Sequence, residues 1–235
     1  MAKTKHDQID WALELAPEYV PSPRQLEICL TSFRWITYVY STDGEVGYSL
    51  SLPSNKGREA MAYLTFIIDN YDGLPESTAF VHASTVQWHN DVVGDRTSDI
   101  FKELRLDTIQ RKGYVNLRCH LDPGCPFSVF PLSPSETDIR VHDVRSYFDD
   151  IYKELFNVSR EQIPEQIGSV CCAQFALSRN RIRQRPKADY VRMREWALHT
   201  QLDTFGIGWV FEMLWHIVFG EEPLQWVHDR CYVKK

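Results

Sequence analysis

Four groups of residues have types and spacing that suit chemistry. His82 closes the stretch Thr78–His82 (TAFVH) and precedes the small run Ala83-Ser84-Thr85 and then Gln87-Trp88-His89-Asn90-Asp91. A histidine at a strand end, followed by small residues, suits a general base or a substrate contact; a satisfied structural histidine is the plainer alternative. Glu212 and His216 stand four apart among Trp209, Phe211, Met213, Leu214 and Trp215, so on a helix they share a face. Burying a carboxylate among apolar groups is costly without a partner. Two partners would serve: a guanidinium or ammonium ligand held by charge and ring faces, or an internal salt bridge to one of the many arginines. Asn55-Lys56-Gly57-Arg58-Glu59 opens a predicted helix, whose free N–H groups and dipole favour a phosphate or carboxylate, although Glu59 is also an ordinary first-turn residue. Finally, residues 179–194 hold seven Arg or Lys against one Asp, a local +6. Arg179 and Arg183, and likewise Arg181 and Arg185, would form two ridges on a helix. Such a cluster suits a phosphate backbone or, more simply, a solvated face.

The rest of the chain narrows the classes. It has 235 residues and a net charge of −6, from 26 Lys/Arg and 32 Asp/Glu, so everything outside the basic segment carries −12. Globally that argues against nucleic acid; locally it does not. At 43% hydrophobic and 13% aromatic, the chain can fill a sizeable core. No run approaches the roughly 18 apolar residues of a membrane span, and the first twenty residues lack an apolar signal core. A cytoplasmic protein is therefore expected. There the six cysteines (Cys29, Cys119, Cys125, Cys171, Cys172, Cys231) need not pair and serve as small buried hydrophobes. Without a CxxC, and with Cys171 and Cys172 adjacent, no metal site is expected. No GxGxxG, P-loop or GxSxG motif occurs, so no nucleotide cofactor is indicated.

Positioning these groups falls to alternating elements. Strands are expected at Leu26–Leu30, Trp35–Ser41, Tyr48–Leu52, Thr78–His82, Tyr114–Arg118 and Ser169–Leu177, the last reading as fully buried. Helices are expected at Gly57–Tyr71, Asp99–Leu106, Asp143–Phe156, 178–185, 187–201 and 207–219. This alternation predicts a single α/β domain with a mostly parallel, Rossmann-like sheet flanked by helices and a helical C-terminal part. The expected bounds are an N-terminal arm at 1–24, the catalytic domain at 25–222 and a tail at 223–235. Ligands of such sheets sit beyond the C-terminal strand ends, which again points to His82, Ser84 and Asp91.

Four blocks, Asn55–Ala83, Gly113–Pro126, Cys171–Pro186 and Trp209–Gly220, resemble a fungal family formerly known only as a domain of unknown function, which includes the arginine-containing cyclodipeptide synthases. The resemblance runs in order over about residues 25–222, with His82-Ala83 standing where that family often carries Gln-Gly. It implies an enzyme of natural-product biosynthesis that takes arginine and a second amino acid from arginyl-tRNA and another aminoacyl-tRNA. Two amide bonds would then close a diketopiperazine, cyclo-(Arg-Xaa), with no cofactor, because the ester already carries the activation. That reaction requires a base, oxyanion donors, a guanidinium site and a cationic surface for RNA. Under it, His82 or Asp91 is the base, and Asn55 or Ser84 serves the oxyanion. Glu212, Trp215, Asp69 and Glu59 bind substrate, and Arg179, Arg181, Arg183, Arg185 and Lys187 meet tRNA. Two rival readings remain open: a glycosyltransferase-like enzyme using a nucleotide-sugar, and a non-catalytic RNA-binding module.

Overall fold

A computed structural model describes residues 35–41, 50–82, 86–90, 92–120 and 129–225. Its main sheet is built from β3 (Ser77–Phe80), β4 (Tyr114–Asn116) and β5 (Phe175–Ser178). The strand order is β3-β5-β4, with β5 antiparallel to both neighbours. Ala176 of β5 stands opposite both Ala79 and Val115. Two further strands, β1 (Tyr40–Ser41) and β2 (Leu50–Ser51), pair in parallel with each other.

Eight α-helices lie among the described residues: α1 (Glu59–Asn70), α2 (Thr97–Glu103), α3 (Leu106–Lys112), α4 (Glu136–Arg140), α5 (Phe148–Phe156), α6 (Arg179–Arg183), α7 (Lys187–His199) and α8 (Thr204–Val218). They sort by face of the sheet. Phe80, Tyr114, Phe175 and Leu177 point into a large core shared with α1, α5, α7 and α8. Val115 and Ala176 point to the other side, against Ile100 of α2 and Ile109 of α3. The period-2 alternation of a strand is therefore present in β5, but both of its faces are covered, which is why the sequence shows an unbroken apolar run.

The expected mostly parallel Rossmann-like sheet is overturned. β3 and β4 do run in the same direction, joined by the crossover through α2 and α3, as the alternation suggested. β5, however, inserts between them in the opposite sense. The connection from β4 to β5 starts and ends at one edge of the sheet instead of crossing it, and a parallel neighbour requires a crossing. Of the other expected strands, 35–41 and 48–52 contribute β1 and β2 among the described residues, and 26–30 lies outside them. Helices α3 and α4 were not anticipated. Residues 223–225, expected to begin a tail, join the domain: the Gln225 N–H donates to Gly168 O at 2.9 Å.

The entry to α1 is tightly built. Gly57 has φ +79, and a Cβ there would lie 2.6 Å from Ile207 Cγ2. Arg58 follows at φ 54 and lays its guanidinium over Phe205, 4.7 Å from the ring centre. Two successive left-handed residues thus aim the first turn of α1, including Glu59, at α8.

Candidate active site

At one edge of the sheet β3 and β4 end and β5 begins, so three short segments converge. From the end of β3, the His82 N–H donates to Gln174 Oε1 at 3.1 Å. Gln174 Nε2 donates to Asn90 Oδ1 at 2.9 Å, and Asn90 Nδ2 donates to Thr97 Oγ1 at 3.1 Å. The His82 and His89 rings meet edge-on at 5.2 Å. This network ties His82 and Asn90 to the approach to β5, because buried amides hold their positions through the partners they must satisfy.

Beside it, Cys171 and Cys172 form a disulfide between adjacent residues. The sequence reading did not require these cysteines to pair, and here they do, whereas their burial is as expected, at 7% and 8% exposed. Cys119 is disulfide-bonded too. Cys172 and Ala173 both have positive φ, 85 and 46, an arrangement no sequence pattern announces. From the end of β4, buried Arg118 places Nη1 2.6 Å from Cys171 Sγ and 3.8 Å from Cys172 Sγ, with its guanidinium 5.0 Å from the Trp88 ring centre. The Cys172 N–H donates to Glu212 Oε1 at 2.6 Å. Ligand atoms of Cys171, Cys172 and Glu212 lie within 4.8 Å of one another. With Arg118 already against Cys171, a cation enters this trio against charge repulsion, so the donor set is a poor fit for a metal.

Glu212 also faces Glu59 across the α1–α8 contact. Burial pushes the Glu59 carboxyl up to about 7; the Glu212 charge adds to that, while the backbone at Glu59 and the Arg58 charge pull the other way. Neither carboxylate forms an ion pair among the described residues. Tyr63, one turn along from Glu59, is held well above the usual phenol range, first by burial and then by Glu59. The Tyr63 hydroxyl and Trp215 Nε1 are buried without a hydrogen-bond partner among the described residues, and their rings lie 5.8 Å apart. Two acids, two aromatic rings and two unsatisfied donors therefore gather at the α1–α8 contact.

The structure brings Glu59, Glu212 and Trp215 together and separates the other expected residues. His216 does not pair with Glu212; its Nε2 lies 3.0 Å from Pro223 O, and burial lowers its pKa to about 4, so it is the neutral ring that donates there. Asp69 is exposed at the far end of α1, about 15 Å of helix from Glu59. Asn55 is exposed on the loop before α1. Ser84 and Asp91 lie outside the described residues. Lys56, read as an anion ligand, caps the end of α7 by donating to Leu198 O at 3.1 Å and Thr200 O at 2.5 Å.

The basic segment has the same habit. Arg181 donates to Phe219 O (3.1 Å), Gly220 O (3.4 Å) and Lys112 O (3.0 Å), and pairs with Glu221. Arg185 reaches Val218 O (2.7 Å) and Ile217 O (3.4 Å), Arg183 reaches Tyr71 O and Asp72 O, and Arg192 reaches Leu155 O. One run of chain therefore caps the C-terminal ends of α1, α3, α5 and α8, where unpaired carbonyls and the dipole favour cations. Arg179 is half-buried at the start of α6, and Lys187, 43% exposed, lies 4.0 Å from Asp72.

Comparison with known proteins assigns the chain to one family. The family described as "Protein of unknown function (DUF3431)" matches residues 1–234. Neither a curated protein nor a solved structure matches. The expected membership among arginine-containing cyclodipeptide synthases is thereby corrected: the family found carries no activity in its description, and no cyclodipeptide synthase family is shown. No helix among the described residues is long and apolar enough to cross a membrane.

Proposed function

This chain belongs to the DUF3431 family, and from its site geometry we propose that it is an aminoacyltransferase that condenses arginine and a second amino acid, both delivered as tRNA esters, into cyclo-(Arg-Xaa). The observation that carries the reading is the Glu59–Glu212 pair, two carboxylates that raise each other's cost of ionisation and form no ion pair among the described residues. Such a pair invites a positively charged substrate group, and a guanidinium on Glu212 with its face toward Trp215 satisfies both charge and ring. Glu59, with a pKa of about 7, is then the base that removes a proton from the attacking α-amine, in the place where the sequence suggested His82. The unpartnered Tyr63 hydroxyl donates to the oxyanion that forms as the amine adds to the ester carbonyl. The absence of a P-loop agrees with an ester that needs no further activation. RNA contact falls to Arg183 and Lys187, whose side chains reach solvent, while Arg181 and Arg185 are committed to helix ends.

The test supplies the purified protein with pre-charged total tRNA, freed of ATP, and reads products by mass spectrometry. A parallel mixture lacks arginine alone. A product of cyclo-(Arg-Xaa) mass that vanishes without arginine is expected. No such product, or one that survives RNase treatment of the charged tRNA, overturns the proposal.

A further inference from the structure

We propose that the Cys171–Cys172 pair is a reversible modification site, opened by a small dithiol that attacks Cys172, expels Cys171 onto Arg118, and so releases the Cys172 N–H from Glu212. Three observations converge on it. First, the two sulfurs are unequal: Arg118 Nη1 is 2.6 Å from Cys171 Sγ but 3.8 Å from Cys172 Sγ. Thiol–disulfide exchange is faster when the leaving sulfur is the better-stabilised thiolate, and a guanidinium stabilises the nearer one. Second, the peptide joining the two cysteines is part of the ring that the disulfide closes, and its N–H is the group that donates to Glu212 Oε1. Opening the ring frees that peptide to turn. Third, Cys172 and Ala173 hold positive φ without being glycine, a conformation that persists only while its surroundings impose it.

The step balances as follows. A reductant thiolate attacks Cys172 Sγ, the S–S bond breaks, and its electron pair leaves on Cys171 Sγ. The second thiol of the reductant, having lost its proton, attacks its own sulfur in the mixed disulfide. Cys172 then leaves as a thiolate, so the protein gains two electrons and the dithiol becomes a cyclic disulfide. Reoxidation reverses each step with a small disulfide as oxidant. Because Gln174 lies two residues on and holds both His82 and Asn90, the change reaches those two residues as well as Glu212. The chemistry stands apart from the activity proposed above; only its effect on turnover rests on that reading.

Peptide mapping after alkylation tests the pair directly. Without reductant, Cys171 and Cys172 stay unalkylated; after dithiothreitol both are labelled. A glutathione pulse leaves its adduct on Cys172. By NMR, the Cys172 amide exchanges roughly tenfold faster or more once the pair is reduced, as expected for a lost hydrogen bond. Arg118→Gln slows reduction about tenfold, while Arg118→Lys, which keeps the charge, stays near the native rate. Alkylation without reductant, an adduct on Cys171, unchanged Cys172 exchange in the native protein, or equal rates in the two variants would each overturn the proposal. None of these readouts uses product formation, so failure of the aminoacyltransferase reading is seen separately.

Discussion

Replacing Glu59 with Gln should stabilise the fold and abolish turnover together, with a pH dependence that isolates the cause. The carboxyl rises from 4.5 to about 7 on folding. Between those values the folded protein keeps a proton that the unfolded chain releases, so stability falls as pH rises through the window, and the full cost is present above pH 7. At about 1.4 kcal/mol per pK unit the shift corresponds to roughly 3 kcal/mol, and partial exposure of the side chain trims this toward 2. Gln never ionises. The variant should therefore match the native protein at pH 4 and exceed it by about 2–3 kcal/mol at pH 8. Urea denaturation of both proteins at pH 4, 6 and 8 measures this. Taking the difference matters because His216 acts in the opposite direction: its depressed pKa, about 4, means that stability is lost as pH falls from 6.5 to 4. In the native protein the two slopes largely cancel between pH 4.5 and 6.5; in Glu59→Gln the His216 slope stands exposed. A stability difference that is the same at all three pH values would refute the reasoning, and with it the case for Glu59 as a base poised near neutrality.

Other perturbations follow from the same geometry. Glu212→Gln keeps an acceptor for the Cys172 N–H but loses the charge, so the KM for the arginyl donor should rise roughly 10- to 100-fold, and the acid limb of the rate profile should move down as Glu59 loses its charged neighbour. Arg181→Ala should cost about 3 kcal/mol in urea denaturation, since three helix-end carbonyls lose a charged donor, whereas exposed Arg183→Ala should cost less than about 1 kcal/mol. Gly113→Ala, at φ +81 with Arg181 Nε only 2.6 Å from the new Cβ, should cost about 2–4 kcal/mol and lower the thermal midpoint accordingly.

Parts of this architecture could be read from the sequence because they depend on local patterns. The 3-and-4 spacing of Ala60, Tyr63, Leu64, Ile67 and Ile68 marks α1 within two residues at its start, and the apolar run to Leu177 marks the central strand. Strand direction was not legible, because β–α–β spacing is the same whether the last strand adds outside its neighbours or slips between them. Glu59, Glu212 and Trp215 were each selectable as chemical types, yet their meeting depends on the α1–α8 contact, which two left-handed residues at Gly57 and Arg58 set. Arg118 ended a predicted strand and gave no sign that its charge would be buried against sulfur. The basic segment was conspicuous by charge, but its partners are backbone carbonyls, which every residue possesses and no composition reveals.

That segment also makes the far ends of four helices answer to one short stretch of chain. Any fluctuation that lifts Arg181, Arg183, Arg185 and Arg192 together would release all four ends at once, so partial opening there gains little over complete unfolding. The amides of α6 and of the first turns of α7 should therefore rank among the slowest to exchange in the protein. Because the acceptors are neutral carbonyls, this tethering should also persist in molar salt, where ordinary surface charge pairs fade.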